Sequence, residues 1–313
     1  MSKNKIAVLG YGYWGKNHAR VLDELGVLSG VFDLDPTADY DSSYKFFTNI
    51  NEVIQSSNAA IIATPATTHY SIAEKLISEL DLLIEKPMSM SASECDDLLN
   101  KSKKSEKIIM VGHQLHFHPA ILKIKDYIKD GTLGSIKWVY SNRLNMGKIR
   151  SEENVLWSFA PHDISLILDF VKSDIKEINI QGTNIIDNGI EDTTLTTLTF
   201  DNGVRSHIFV SWFHPFKEQR FVLVGEKGTF VFTDSEEKNK LVLYQTKFDS
   251  DNLTINEHDS QNIEFDSSEP LKNQANYFID CINSRNCDIN NGLHGKKVVE
   301  VLEKSSELLK NIN

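Results

Sequence analysis

Lys5-Ile-Ala-Val-Leu-Gly-Tyr-Gly-Tyr-Trp-Gly15, followed by an acid at Asp33, decides how this chain is read. Ile6, Ala7, Val8 and Leu9 form a short apolar run of the kind a buried parallel strand uses. Gly10, Gly12 and Gly15 follow at once with G-x-G-x-x-G spacing, and Asn17–Gly26 reads as a helix with apolar positions 19, 21, 22 and 25 and a glycine stop. The first glycine permits a tight turn, the second lets backbone approach a pyrophosphate, and the third lets helix and strand pack closely. Free N–H groups and the positive dipole end of the helix then face the phosphates. A second apolar run, Val27–Phe32, ends at Asp33, where an acid meets the adenosine ribose hydroxyls. Strand, glycine triplet, helix, strand and acid in this order predict dinucleotide binding.

The 313 residues suffice for two domains with sizeable cores. A net charge of −11 argues against a nucleic-acid partner, because phosphate backbones need a basic surface. The one lysine-rich stretch, Lys101–Lys107, reads as a solvated helix end. Three cysteines, Cys95, Cys281 and Cys287, without a C-x-x-C pair argue against a disulfide framework and for a reducing compartment. The chain enters its first strand almost at once, which leaves no room for a signal peptide. No apolar run approaches the roughly 18 residues of a membrane span. A cytoplasmic location is expected.

Downstream of Asp33, strands and helices alternate. A helix near Ile50–Ser56 leads to the strand Ala59–Ala63, stopped by Thr64-Pro65. A helix over His69–Leu80 precedes the strand Leu82–Ile84, which ends in Glu85-Lys86-Pro87. Ser91 and Glu94 stand in capping-box register for the next helix, and Ile108–Gly112 is one more buried strand. Repeated βα units predict an N-terminal doubly wound parallel sheet with ligands beyond the carboxyl ends of its strands. From about Pro119 the pattern changes to a helix (Ala120–Asp130), a helix near His162–Phe170, and many strands. Among these, Thr193–Phe200 alternates as a half-exposed antiparallel strand does. Two helices, near Leu271–Asn283 and Gly295–Lys310, close the chain. The expected class is α/β: residues 1–119 form a Rossmann domain for the dinucleotide. Residues 120–313 form an α+β domain with a large, mostly antiparallel sheet for substrate and oligomer contacts.

Gly10-Tyr11-Gly12-Tyr13-Trp14-Gly15, Ala63-Thr64-Pro65 with His69, and Glu85-Lys86-Pro87 together resemble the Gfo/Idh/MocA family of nicotinamide-dependent oxidoreductases, over essentially the full chain. The resemblance implies NAD as cofactor, with Gly10, Gly12, Tyr13, Trp14, Gly15, Asp33, Thr64, Pro65, His69, Glu85 and Lys86 around it. It places Lys86 between nicotinamide and substrate. That position suits the chemistry: alcohol oxidation needs a group that takes the hydroxyl proton while the nicotinamide takes the hydride, and a cationic lysine also stabilises an alkoxide. The resemblance puts His162 at a helix start facing Lys86. Many relatives carry an aspartate four residues earlier, where this chain has Ser158, so Asp163 becomes a possible orienting group.

Asn142–Arg150 and Trp157 resemble a narrower branch acting on the C3 hydroxyl of UDP-N-acetylglucosamine or its uronic acid. By that resemblance Arg143, Asn145, Arg150, Trp157, Lys86 and His162 contact the sugar nucleotide; amide and guanidinium groups suit hydroxyls and a diphosphate or carboxylate. His113, His116 and His118 lack the further ligands of a metal site, so no metal is expected and an interdomain hinge or pocket lining is the reading. Asp33 without a neighbouring Arg or Lys predicts NAD over NADP. Too few helices cover the second sheet, which predicts a homodimer or homotetramer through it. A 3-ketosugar reductase, a free-sugar or inositol dehydrogenase, and a cofactor-binding regulator are the alternative functions.

Overall fold

Ile6–Leu9 forms β1, fully buried, and the next units of the chain build a parallel sheet around it. The computed structural model describes residues 4–35, 41, 43–147, 153–186, 189–245, 248–249, 254–255 and 259–310. Helix α1 (Tyr13–Glu24) leads to β2 (Leu28–Phe32), and α2 (Ile50–Ser56), capped by the Asn49 side chain, leads to β3 (Ala59–Ile62). Helix α3 (His69–Leu76) precedes β4 (Asp81–Ile84). Helix α4 (Ala92–Ser105), whose Glu94 N–H donates to Ser91 Oγ, precedes β5 (Ile109–Val111). All pairs are parallel, in the order β2-β1-β3-β4-β5. The strand order reverses between β1 and β3, which opens the crevice where such sheets hold ligands.

The second unit begins with α5 (Pro119–Lys129) and the long strand β6 (Ile136–Met146). Helix α6 (Val155–Val171) follows, capped by Asn154. Strands β7 (Ile175–Thr183), β8 (Thr193–Phe200), β9 (Arg205–Ser211), β10 (Phe213–Gly225), β11 (Gly228–Thr233) and β12 (Leu241–Gln245) come next. A two-strand ribbon of β13 (Phe248–Asp249) and β14 (Thr254–Ile255) precedes the edge strand β15 (Asp259–Asn262). The eight-stranded sheet runs β15-β12-β11-β10-β6-β9-β8-β7, antiparallel except for the parallel pair β6–β9. Helix α6 packs against β6, β8 and β9. The inward positions of the alternating strands, such as Leu198 and Ile208, are fully buried.

Helices α7 (Pro270–Ser284) and α8 (Gly292–Lys310) depart from the expected boundary. Ser268–Glu303 groups with Met1–Phe117, and His118–Ser267 with Lys304–Asn313. The reason is apolar cover for the parallel sheet: Leu271, Ala275, Phe278 and Ile282 of α7 join one core with Leu83, Met110 and the apolar face of α1. At about 1.5–3 kcal/mol per buried apolar side chain, that face would be costly to leave open. Arg285, just after α7, clamps the buried Asp81 carboxylate with Nη1 at 2.6 Å and Nη2 at 3.0 Å. Gly295 lets α8 lie against β5, where a Cβ would meet Val111 Cγ2 at 2.4 Å.

Candidate active site

The three glycines take separate tasks in the first unit. Gly10 has φ +90°, and a Cβ there would meet the Ala63 carbonyl at 2.6 Å, so the turn after β1 lies against the end of β3. A Cβ on Gly15 would sit 1.8 Å from the Gly10 carbonyl, which fixes how closely α1 closes on the turn. Around Gly12 a Cβ would meet nothing within 4 Å. Gly12 is the N-cap of α1 and offers no side-chain acceptor to the helix N–H groups, and the first turn carries no acid. This open backbone with free donors fits a pyrophosphate. Tyr13 and Trp14 are exposed in the same first turn, their rings edge to face at 5.5 Å.

Asp33 follows β2, as a ribose-binding acid should. Its Oδ2 accepts from the Tyr11 N–H at 2.5 Å and its Oδ1 from the Asp35 N–H at 2.9 Å, so the carboxylate is held against the glycine turn. After β3, Thr64 Oγ1 accepts from the Thr68 hydroxyl at 2.8 Å, and Pro65 opens a short 3-10 turn.

Lys86 stands two residues past β4, half-buried, and its loop is held from two sides. His69, 1% exposed, places Nδ1 2.7 Å from the Pro87 carbonyl and Nε2 2.9 Å from the Thr64 carbonyl. A neutral ring donates to one of these at a time, and burial pushes the imidazole below its ordinary value against both carbonyls. His69 is thus a tie between loops. On the other side, His18 Nε2 donates to Glu85 Oε1 at 2.9 Å. The Lys86 N–H reaches Glu85 Oε2 at 3.3 Å. Burial alone would raise the Glu85 carboxyl; His18 overrides it and holds Glu85 below the usual carboxylate range. Gly112 makes room for that carboxyl, since a Cβ there would lie 2.9 Å from Glu85 Cδ. His18 and Gly112 were not singled out from sequence. A histidine on the buried stripe of an otherwise apolar helix face was the available signal.

The second unit corrects the reading of its candidates. His162 lies half-buried in the middle of α6, after Pro161, and does not start a helix. Asn154 caps the helix two turns earlier by accepting from the Trp157 N–H. Asp163 spends its carboxylate on Arg143. It is buried and takes both Arg143 Nε at 2.7 Å and Nη2 at 3.0 Å, stapling α6 to β6. Burial would lower the Arg143 pKa, yet Asp163 keeps it above the ordinary value. Trp157 is a core side chain whose Nε1 donates to Ser306 at 2.8 Å. Asn145, half-buried on β6, shares the face of Arg143. Arg150, with residues 148–152, lies outside the described residues. Among the described residues no group of three His, Cys, Asp or Glu is arranged to hold a metal ion, and no helix is long and apolar enough to cross a membrane.

The glycine cradle, the acid at Asp33 and the Lys86 loop fall in the first of two stretches of the chain that match a family. Residues 4–113 match the oxidoreductase family with an NAD-binding Rossmann fold, and residues 121–231 match the GFO/IDH/MocA C-terminal domain. The chain belongs to the Gfo/Idh/MocA family. It is an NAD-dependent oxidoreductase. Among the relatives of this oxidoreductase, the UDP-N-acetylglucosamine 3-dehydrogenase of Acidithiobacillus ferrooxidans is 25% identical over 213 residues. That match spans 66% of each chain, just under two thirds. The myo-inositol 2-dehydrogenase of Thermotoga maritima is 22% identical across 76% of this chain and 78% of its own. The solved structure of the Acidithiobacillus enzyme superposes with a TM-score of 0.88 at 20% identity, covering 99% of both chains. Levoglucosan dehydrogenase with NADH and L-sorbose gives 0.86 at 16% identity, covering 99% and 98%. These structural likenesses establish the fold.

Proposed function

We propose that this oxidoreductase oxidises the C3 hydroxyl of a nucleotide-linked amino sugar, UDP-N-acetylglucosamine or its uronic acid, to the 3-keto sugar for surface-glycan precursors. The observation that supports hydroxyl oxidation is Lys86 itself. It stands half-buried on the carboxyl edge of the NAD-binding sheet, its loop fixed by His69–Pro87 and Glu85–His18. Bound NAD would supply the hydride acceptor, held by the Gly10–Gly15 turn and Asp33. Lys86 and His162 form the proton-transfer pair in this reading, with Lys86 also steadying negative charge on the reacting oxygen. Asn145 and Arg150 take the substrate's polar groups. Arg143 and Trp157 act from behind, fixing α6, which carries His162.

The sugar-nucleotide assignment is supported by the Acidithiobacillus relative and by the Asn142–Trp157 stretch. The Thermotoga relative favours a second reading, oxidation of a free polyol such as an inositol. Incubating the protein with NAD and a panel of UDP-sugars, dTDP-sugars and inositols, while following absorbance of the reduced cofactor, separates the two. Turnover of UDP-N-acetylglucosamine or its uronic acid supports the proposal. Turnover of inositols alone replaces it with the second reading, and cofactor binding without turnover favours a regulator. We further propose that the protein works as a homodimer or homotetramer through the open face of its second sheet, and that it is cytoplasmic.

A further inference from the structure

Three imidazoles of the first unit stand together without a task in the account above. His113 follows β5 directly, His116 lies in the 3-10 turn Gln114–Phe117, and His294 belongs to the first turn of α8. Their ring centroids are 6.4 Å (His113–His116), 5.9 Å (His113–His294) and 5.4 Å (His116–His294) apart. His113 and His116 are 1% exposed, whereas His294 is half-buried and reaches solvent. Both ring nitrogens of His113 are buried without a hydrogen-bond partner. Such a group costs about 1–3 kcal/mol, a cost that calls for a use.

The register places that ring near the chemistry. Ile84 pairs with Val111 across parallel β4 and β5, and the Gly112 N–H donates to the Ile84 carbonyl at 2.7 Å. Lys86 and His113 each stand two residues beyond that pair, on the same edge of the sheet. Asn290 holds the His113 backbone, its Nδ2 donating to the His113 carbonyl at 2.9 Å. The charged or titratable groups around His113 are Lys86, the Glu85 carboxyl beside Gly112, His116 and His294.

Oxidising an alcohol with NAD sends one hydride from carbon to the nicotinamide and leaves one proton that must reach water. We propose that His113, His116 and His294 form a proton path from Lys86 to solvent. This rests on the dehydrogenase reading above. The Lys86 amine takes the hydroxyl proton and gives it to a His113 ring nitrogen. His113 passes it to His116 or His294, and His294 releases it to water, so each imidazole ends neutral. Rings at these spacings exchange a proton through one bridging water or a small rotation. A carrier must also be neutral at rest. Burial, with the nearby His294, His116 and Lys86, pushes His113 well below the ordinary histidine value, so it rests neutral and its protonated form is the high-energy point of the path.

The test uses His113→Phe, which keeps a ring and removes its nitrogens, and His294→Phe at the half-buried end. In dilute buffer His113→Phe should slow single-turnover hydride transfer by about 10², His294→Phe less. NAD affinity by calorimetry should be unchanged, and in His113→Ala, which leaves a ring-sized space, added imidazole should restore the rate. A wild-type rate in His113→Phe, or a loss in His113→Ala that imidazole does not restore, overturns the path. Exchange of the His113 ring N–H with water, read by proton–nitrogen NMR, needs no substrate. The path predicts fast exchange that slows several-fold in His294→Phe, and a protected ring N–H in the wild type overturns it. A wild type that oxidises no sugar while His113 exchanges through His294 would sink the dehydrogenase reading and not the path.

Discussion

His18 and Glu85 share a buried hydrogen bond, Nε2 to Oε1 at 2.9 Å, that ties the helix after the glycine turn to the loop carrying Lys86. The carboxylate is ionised in spite of burial because His18 and the Lys86 N–H face it. The glycine turn's helix and the Lys86 loop are therefore braced by one polar contact.

Removing His18 strands that carboxylate. His18→Phe should cost about 3 kcal/mol, the lower end for a broken buried pair because the Lys86 N–H remains. The thermal midpoint of the NAD-free protein should fall by roughly 6–12 °C. The folded Glu85 pKa is depressed, so its contribution is complete above the unfolded carboxylate value of 4.5 and is lost as pH falls through the folded value. Wild type and Glu85→Gln should therefore differ at neutral pH and converge in acid. An unchanged midpoint in His18→Phe would show the bond to be incidental.

Gly12 and Gly15 should separate binding from folding. Gly12→Val has open space for its side chain, so the protein should fold with an unchanged midpoint and lose NAD binding. Gly15→Ala forces a methyl into the Gly10 carbonyl and should lower stability as well. Calorimetric titration with NAD beside thermal unfolding reads both, and full NAD affinity in Gly12→Val would contradict the cradle.

Asp33 should set the choice of cofactor. Its carboxylate is fixed by the Tyr11 and Asp35 N–H groups where a 2′-phosphate would meet like charge. NAD should bind more tightly than NADP, and Asp33→Ala should erode the difference. Equal calorimetric affinities in the wild type would refute this.

Much of this was legible in the sequence because it rests on local necessity. A glycine triplet after an apolar strand admits few backbones: Gly10 turns and Gly15 packs closely as their positions predict, and Gly12 leaves open space. Long-range partners were not legible. Nothing local in the sequence marks a partner for Asp81, and only the fold brings Arg285 to it from 204 residues away. His69 and Trp157 read as binding residues through the resemblance alone, and both spend their polar atoms on the scaffold. The start of α6 was placed near His162, where the resemblance put a helix start, whereas Asn154 supplies the cap two turns earlier.

The open face of the second sheet should bury itself against another copy. Trp138 and Leu195 are each 37% exposed there, and Tyr140 stacks on His207 at 4.9 Å. Exposed aromatic and aliphatic groups on one contiguous face mark an interaction surface. Sedimentation at micromolar concentration should give a dimer or tetramer, and Leu195→Glu with Trp138→Glu should shift it toward monomer. A monomeric wild type would rule the interface out.

Lys86 carries the central claim, and single-turnover hydride transfer tests it most directly. Protein preloaded with NAD is mixed with UDP-N-acetylglucosamine or its uronic acid, and reduced cofactor is followed in time. The account predicts formation of reduced cofactor by the wild type and a rate ~10²–10⁴-fold lower in Lys86→Ala, with NAD affinity retained. A Lys86→Ala protein that reduces NAD at the wild-type rate would contradict it.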